Sequence, residues 1–165
     1  MYFVFPNGDF KHYDKRHTFT LAGEHLTYTA GKEQLIVDYK GWKIFPLICY
    51  DLRFPVWARN SQEYDLVLYV ANWPVKRITA WDALLKARAI ENMAYCVGVN
   101  RIGLDGNGYE YCGHSAVFDV LGEQISTKDF EKDFVETVSL SKDYLNNQRE
   151  KLQFLKDRDS YQINF

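Results

Sequence analysis

Trp42-Lys43-Ile44-Phe45-Pro46-Leu47-Ile48-Cys49-Tyr50-Asp51-Leu52-Arg53-Phe54-Pro55 is the stretch that decides the fold. Its first seven residues are apolar but for Lys43 and read as a buried strand. The residues after Cys49 read as a tight turn, with Pro55 suited to the first turn of a helix. Cys49 therefore sits at a strand-to-helix elbow, where the positive end of a helix favours thiolate over thiol. A nucleophile fits this place. So does the plainer reading, since free cysteines are among the most buried and inert residue types.

Strands and helices alternate around this elbow. Leu66 to Ala71 is a continuous apolar run, read as a strand buried on both faces and broken by Asn72-Trp73-Pro74. Ile78 to Ala94 reads as a long helix whose packed face is Ala80, Leu84, Ala87, Ile90 and Ala94. Tyr95 to Asn100 is the next strand. Upstream, Tyr2 to Phe5 is a short strand closed by Pro6-Asn7-Gly8-Asp9, and Leu35 to Tyr39 pairs with Trp42 to Ile48 around Lys40-Gly41. Phe54 to Glu63 is expected as a short helix. Downstream, Asp105-Gly106-Asn107-Gly108 joins two hairpin arms and Ser115 to Val120 is a strand. Phe134 to Leu140 is expected as a late strand, and Lys142 to Leu155 as a polar helix. This order implies a layered α/β fold with a mixed sheet and flanking helices.

Composition narrows the function. A length of 165 residues allows one domain with a sizeable core, and 47% apolar with 25% charged residues is an ordinary globular balance. A net charge of -2 offers no electrostatic case for nucleic acid or an anionic membrane. No apolar run approaches the ~20 residues of a membrane span, and no basic segment with an apolar region opens the chain. Cys49, Cys96 and Cys112 are odd in number and widely spaced, which argues for a reducing, cytoplasmic setting without disulfides. The four histidines show no metal-ligand spacing with them, so neither a metal nor a cofactor is expected.

A cysteine nucleophile needs a group to take its proton and groups to hold the oxyanion. Lys15, in Tyr13-Asp14-Lys15-Arg16-His17, could stabilise an oxyanion, or belong to a solvated basic loop. Glu24 is a carboxylate able to position such a lysine, or a surface acid. The Tyr50 N–H, next after the nucleophile, suits an oxyanion donor. Asn72 and Trp73 follow a strand end, where α/β sites gather, and are candidate pocket lining.

These segments together resemble the nitrilase, or carbon–nitrogen hydrolase, superfamily. Tyr13 to His17 is similar to its catalytic-lysine motif, and Pro46 to Pro55 to its nucleophile motif. Ala71-Asn72-Trp73-Pro74, Ala87-Arg88-Ala89-Ile90-Glu91-Asn92, Gly98-Val99-Asn100-Arg101 and Gly113-His114-Ser115 follow in the family's order. The resemblance spans Phe3 to about Gly122. It implies an αββα sandwich and a Glu–Lys–Cys site without cofactor. In that scheme Cys49 attacks an amide carbonyl, Lys15 stabilises the tetrahedral intermediate, and ammonia leaves before water hydrolyses the thioester. Glu24 matches a second glutamate that holds the lysine. Cys-Tyr-Asp-Leu-Arg-Phe-Pro is most similar to the omega-amidase branch, which hydrolyses the terminal amide of 2-oxo dicarboxylic acid monoamides. Such a substrate carries a carboxylate. Arg53 is the candidate receptor, or else an ion-pair partner of Asp51 or another acid.

The pattern is incomplete. The family's general-base glutamate lies upstream of its lysine, whereas none of the 14 residues before Lys15 is a glutamate. Residues 1–165 are therefore expected to be the C-terminal portion of a single domain, with an N-terminal segment missing. The expected partners are a small amide substrate and further copies of the chain, in a homodimer or larger assembly. The alternative is a non-catalytic remnant or interaction module with the same fold.

Overall fold

The computed structural model describes residues 1–128 and 130–164. A hairpin of β1 (Tyr2–Val4) and β2 (Phe10–His12) opens the chain. The central sheet follows: β3 (Val37–Tyr39), β4 (Trp42–Ile48), β5 (Leu66–Ala71), β6 (Tyr95–Asn100) and, after the hairpin of β7 (Ile102–Leu104) and β8 (Glu110–Cys112), β9 (Ala116–Phe118). Its spatial order is β3-β4-β5-β6-β9. β4, β5 and β6 run parallel, while β3 and β9 flank them antiparallel. The β3–β4 turn places both Lys40 and Gly41 at positive φ (49° and 79°), the geometry whose twist suits a two-residue hairpin.

Parallel neighbours need crossovers, and these bring the helices. β4 leads through a single 3-10 turn (Cys49–Arg53) into α1 (Pro55–Ala58), and β5 leads into α2 (Ile78–Asn92). Phe45, Leu47, Val67, Tyr69 and Cys96 form one continuous core with Trp57 and Ala58 of α1 and Trp81, Leu85 and Ala89 of α2. α2 lies close enough that a Cβ on Gly98 would sit 2.4 Å from Leu85 Cδ1 and 2.7 Å from Trp81. Gly98→Ala is expected to overpack this contact and cost about 1–3 kcal/mol, read as a lower denaturation midpoint. An unchanged midpoint would show that Leu85 can move aside.

Several boundaries differ from the sequence reading, each for a local reason. The helix expected over Phe54 to Glu63 stops at Ala58. Arg59 turns to an extended ψ of 131°, and the buried Asn60 bonds Tyr64 and Asn92 instead of continuing the helix. α2 buries Trp81, Leu85, Arg88, Ala89 and Asn92, one position round from the expected face, and Ile90 is 45% exposed. The polar members of that stripe find most of their partners internally: Arg88 donates to Leu52 O (2.6 Å) and to Glu91 Oε1 (2.8 Å), leaving its Nε unpaired among the described residues, and Asn92 both donates to Arg88 O (3.0 Å) and accepts from Asn60 N–H (2.8 Å). β5 is fully buried on one face only: Val67 and Tyr69 lie under the helices, while Leu66, Leu68 and Val70 stay half-buried. Phe134 to Leu140 carries no strand. α3 (Lys142–Leu152) ends three residues early because Gln153 adopts φ 57°. It packs Leu145 on Tyr95 and Val120, at the end of the sheet away from Cys49.

The parallel strands thus present Cys49, Asn72 and Arg101 just past their carboxyl ends, the usual place for an α/β site. Among the described residues no helix is long and apolar enough to cross a membrane.

Candidate active site

Cys49 opens the 3-10 turn with φ 45°, a left-handed conformation that a non-glycine residue holds only when its surroundings impose it. The turn tips the thiol towards β5, where Sγ lies 3.8 Å from the carbonyl oxygen of Asn72. Tyr50 is the second residue of the turn, so its N–H has no acceptor within the turn. The expected lowering of the thiol's pKa does not occur. Burial pushes the Cys49 thiol up, and the Lys15 ammonium opposes it. A five-residue turn has little dipole with which to help.

Lys15 and Glu24 meet from separate loops. Lys15 Nζ donates to Glu24 Oε2 at 2.6 Å, and Phe19 N–H donates to the same oxygen at 2.8 Å. Neither is a surface charge: their side chains are 15% and 32% exposed. Burial alone would raise the Glu24 carboxyl, but the Lys15 and Phe19 donors outweigh it and hold it below the ordinary range. Glu24 therefore stays a carboxylate and Lys15 stays beside it. The charges of Lys15, Glu24 and Asp51 all act on the Cys49 thiol, so three distant parts of the chain converge there.

Arg53 does not pair with Asp51. Its guanidinium lies 5.0 Å from the centre of the Trp73 ring, and among the described residues it has no ion-pair partner. Trp73 is 3% exposed, so it is a platform under Arg53 more than open pocket lining. Its position is set by Asn100, whose side chain accepts from Trp73 N–H (2.7 Å) and donates to Trp73 O (2.9 Å). Of Asn72 it is the backbone carbonyl that faces the thiol.

The sequence reading missed Asp51, Tyr13, His17 and Asn100. Asp51 is 0% exposed and accepts four hydrogen bonds: Tyr13 Oη (2.9 Å) and Ile48 N–H (3.1 Å) on Oδ2, and His17 N–H and Nδ1 (both 2.9 Å) on Oδ1. Tyr13 and His17 flank Lys15 in the quoted motif, which was the available signal. That both reach one buried carboxylate is tertiary information.

Residues 1–149 match the carbon-nitrogen hydrolase family. Omega-amidase YafV of Escherichia coli is 51% identical over 160 residues, 97% of this chain and 62% of that protein. 2-Oxoglutaramate amidase of Bacillus subtilis is 38% identical over 118 residues, 70% of this chain and 45% of that protein. A CN-hydrolase superfamily protein from Xanthomonas campestris, whose crystal structure has an arsenic adduct in the active site, superposes with a TM-score of 0.95 at 44% identity. That match covers 99% of this chain and 64% of the other. The chain thus spans less than two thirds of each of these relatives.

Proposed function

The chain belongs to the carbon–nitrogen hydrolase family, and we propose that it carries the cysteine–lysine part of an omega-amidase site. The observation that carries this reading is a Lys15 ammonium, held by Glu24, whose charge acts on a strained Cys49 at the end of β4. In the proposed reaction Cys49 Sγ attacks the terminal amide carbonyl of a 2-oxo dicarboxylic acid monoamide. Lys15 and the Tyr50 N–H receive the oxyanion. The C–N bond breaks, the leaving nitrogen takes a proton as ammonia, and water then cleaves the thioester to a carboxylic acid. Arg53, lying over Trp73 with no acid partner among the described residues, is the proposed receptor for the substrate's distal carboxylate. The names of the Escherichia coli and Bacillus subtilis relatives support this substrate class.

The thiol's proton needs a base. Glu24 is committed to Lys15, and all four acceptor sites of Asp51 are filled. The family resemblance implies a general-base glutamate upstream of the lysine, and we assign the base to such a carboxylate outside these 165 residues. Intact mass of every polypeptide in the purified protein establishes whether such a segment accompanies them. In protein that contains it, the amide should release ammonia and leave a transient acyl group on Cys49. Absence of both would overturn the reading.

The second reading is a non-catalytic module of the same fold, favoured by the burial that raises the Cys49 thiol. It requires that Cys49 alkylate no faster than an ordinary thiol. A homo-oligomer in the cytoplasm remains the proposed setting. The half-buried Leu68, Val70 and Val97 and the exposed Val99 form an apolar sheet face that favours burial against another surface. A fully dispersed monomer in sedimentation velocity would count against this.

A further inference from the structure

The segment bearing Lys15 belongs to no helix or strand, so no backbone ladder sets its distance from Cys49. On one side it is tied by main-chain bonds, Tyr13 N–H to Met1 O (2.8 Å) and Gly31 N–H to Lys15 O (2.9 Å). On the side facing the nucleophile the two flanking side chains, Tyr13 and His17, converge on Asp51. Tyr13 Oη donates to Oδ2, and itself accepts from Arg16 N–H (3.1 Å) and from Trp57 Nε1 (3.0 Å). His17 bonds Oδ1 twice, through its backbone N–H and its ring. A carboxylate only accepts, so Nδ1 carries the proton in that bond. The ring is stacked on Phe54, with centroids 3.6 Å apart and planes 3° from parallel. The fourth bond to Asp51 comes from Ile48 N–H, the residue before Cys49.

One carboxylate thus grips the lysine segment at two positions before and two after Lys15, and the cysteine elbow immediately before Cys49. We propose that Asp51, acting through Tyr13 and His17, is the positioning residue that sets the Lys15 ammonium against Cys49. The inference rests on the reading of Lys15 and Cys49 as one site. A carboxylate with no exposure is costly unless every acceptor site is matched, and this one is matched entirely by groups that belong to the two catalytic segments and their flanks. The cost of burying Asp51 is therefore offset only when the segments are docked, which makes their relative position all-or-none.

The alternative is that His17 matters only for packing, through its ring on Phe54. Two variants separate the roles. His17→Phe keeps an aromatic ring against Phe54 and loses the donor to Asp51. His17→Asn loses the ring and offers a side-chain N–H near the place of Nδ1. The readout is the pH profile of Cys49 carbamidomethylation by iodoacetamide, resolved by peptide mass spectrometry, with Lys15→Ala as the reference for an absent ammonium. Positioning through Asp51 predicts that His17→Phe shifts the profile up by about one pH unit, towards Lys15→Ala. That is roughly tenfold slower alkylation below the midpoint. His17→Asn should stay near the parent. A parent-like profile in folded His17→Phe, or a profile shifted as in Lys15→Ala in folded His17→Asn, overturns the proposal. Should His17→Phe fail to fold by circular dichroism, the Asn variant decides. Alkylation needs neither substrate nor external base. In protein that contains the external carboxylate, a shifted profile without ammonia release would therefore remove the amidase reading and leave this one standing.

Discussion

Cys49→Ala is expected to abolish ammonia release and acyl-enzyme formation while leaving the fold intact. The covalent route has no substitute among the groups near it. Lys15 and Glu24 satisfy each other, Asp51 is saturated, and among the described residues the thiol's one hydrogen-bond partner is the Asn72 carbonyl oxygen. Removing a nucleophile of this kind typically costs about 10⁶-fold in turnover. The fold should survive because Cys49 lies at the rim of the core, and alanine removes one sulfur without opening an interior cavity. Turnover is followed by coupled ammonia detection and the fold by thermal melting. Retention of full activity in the alanine variant would remove Cys49 from the mechanism.

Lys15→Ala should cost about 10²–10³-fold in turnover, the range for loss of one oxyanion-stabilising donor. Two further effects follow from the same ammonium. The Cys49 thiol, raised by burial and held down by Lys15, should rise further, so that activity and alkylation move to higher pH. Glu24 loses the donor that outweighs its burial, and its carboxyl should return upward. A carboxyl held low in the folded state contributes stability above its unfolded pKa of about 4.3, and that contribution is lost as pH falls through the folded value. The variant should therefore lose the Glu24 part of the parent's acid destabilisation, seen as a flatter melting temperature between neutral and acid pH. A variant that loses activity with an unmoved alkylation profile would show that Lys15 acts on the substrate alone.

Much of this site could be read along the chain. The apolar run ending at Cys49 and the tight turn after it were visible as local patterns of period and turn residues, whereas for Lys15 and Glu24 local sequence left surface roles open and the family resemblance raised them as candidates. Apolar runs separated by helical stretches implied a layered α/β fold with a mixed sheet, and the structure makes β4, β5 and β6 its parallel centre. The misplaced face of α2 failed for one physical reason. Arg88 and Asn92 are polar, and a pattern of apolar residues assigns them to solvent. In the fold they are buried because Leu52 O, Asn60 N–H and their own helix supply partners. The short α1 has a similar cause, since Asn60 finds better partners in Tyr64 and Asn92 than in the next helical turn.

What the sequence by itself determined is the chemistry present: a cysteine at a strand-to-helix elbow, a lysine and a glutamate upstream, and membership of the carbon–nitrogen hydrolase family. What only the tertiary structure decided is the state of those groups. Whether Cys49 is lowered by a helix or raised by burial, whether Arg53 pairs with Asp51 or lies over Trp73, and whether Asp51 bonds Tyr13 and His17 all depend on distances between residues 20 or more positions apart or on how completely water is excluded. Hydrogen bonding and desolvation act through space, and neither leaves a period in the chain.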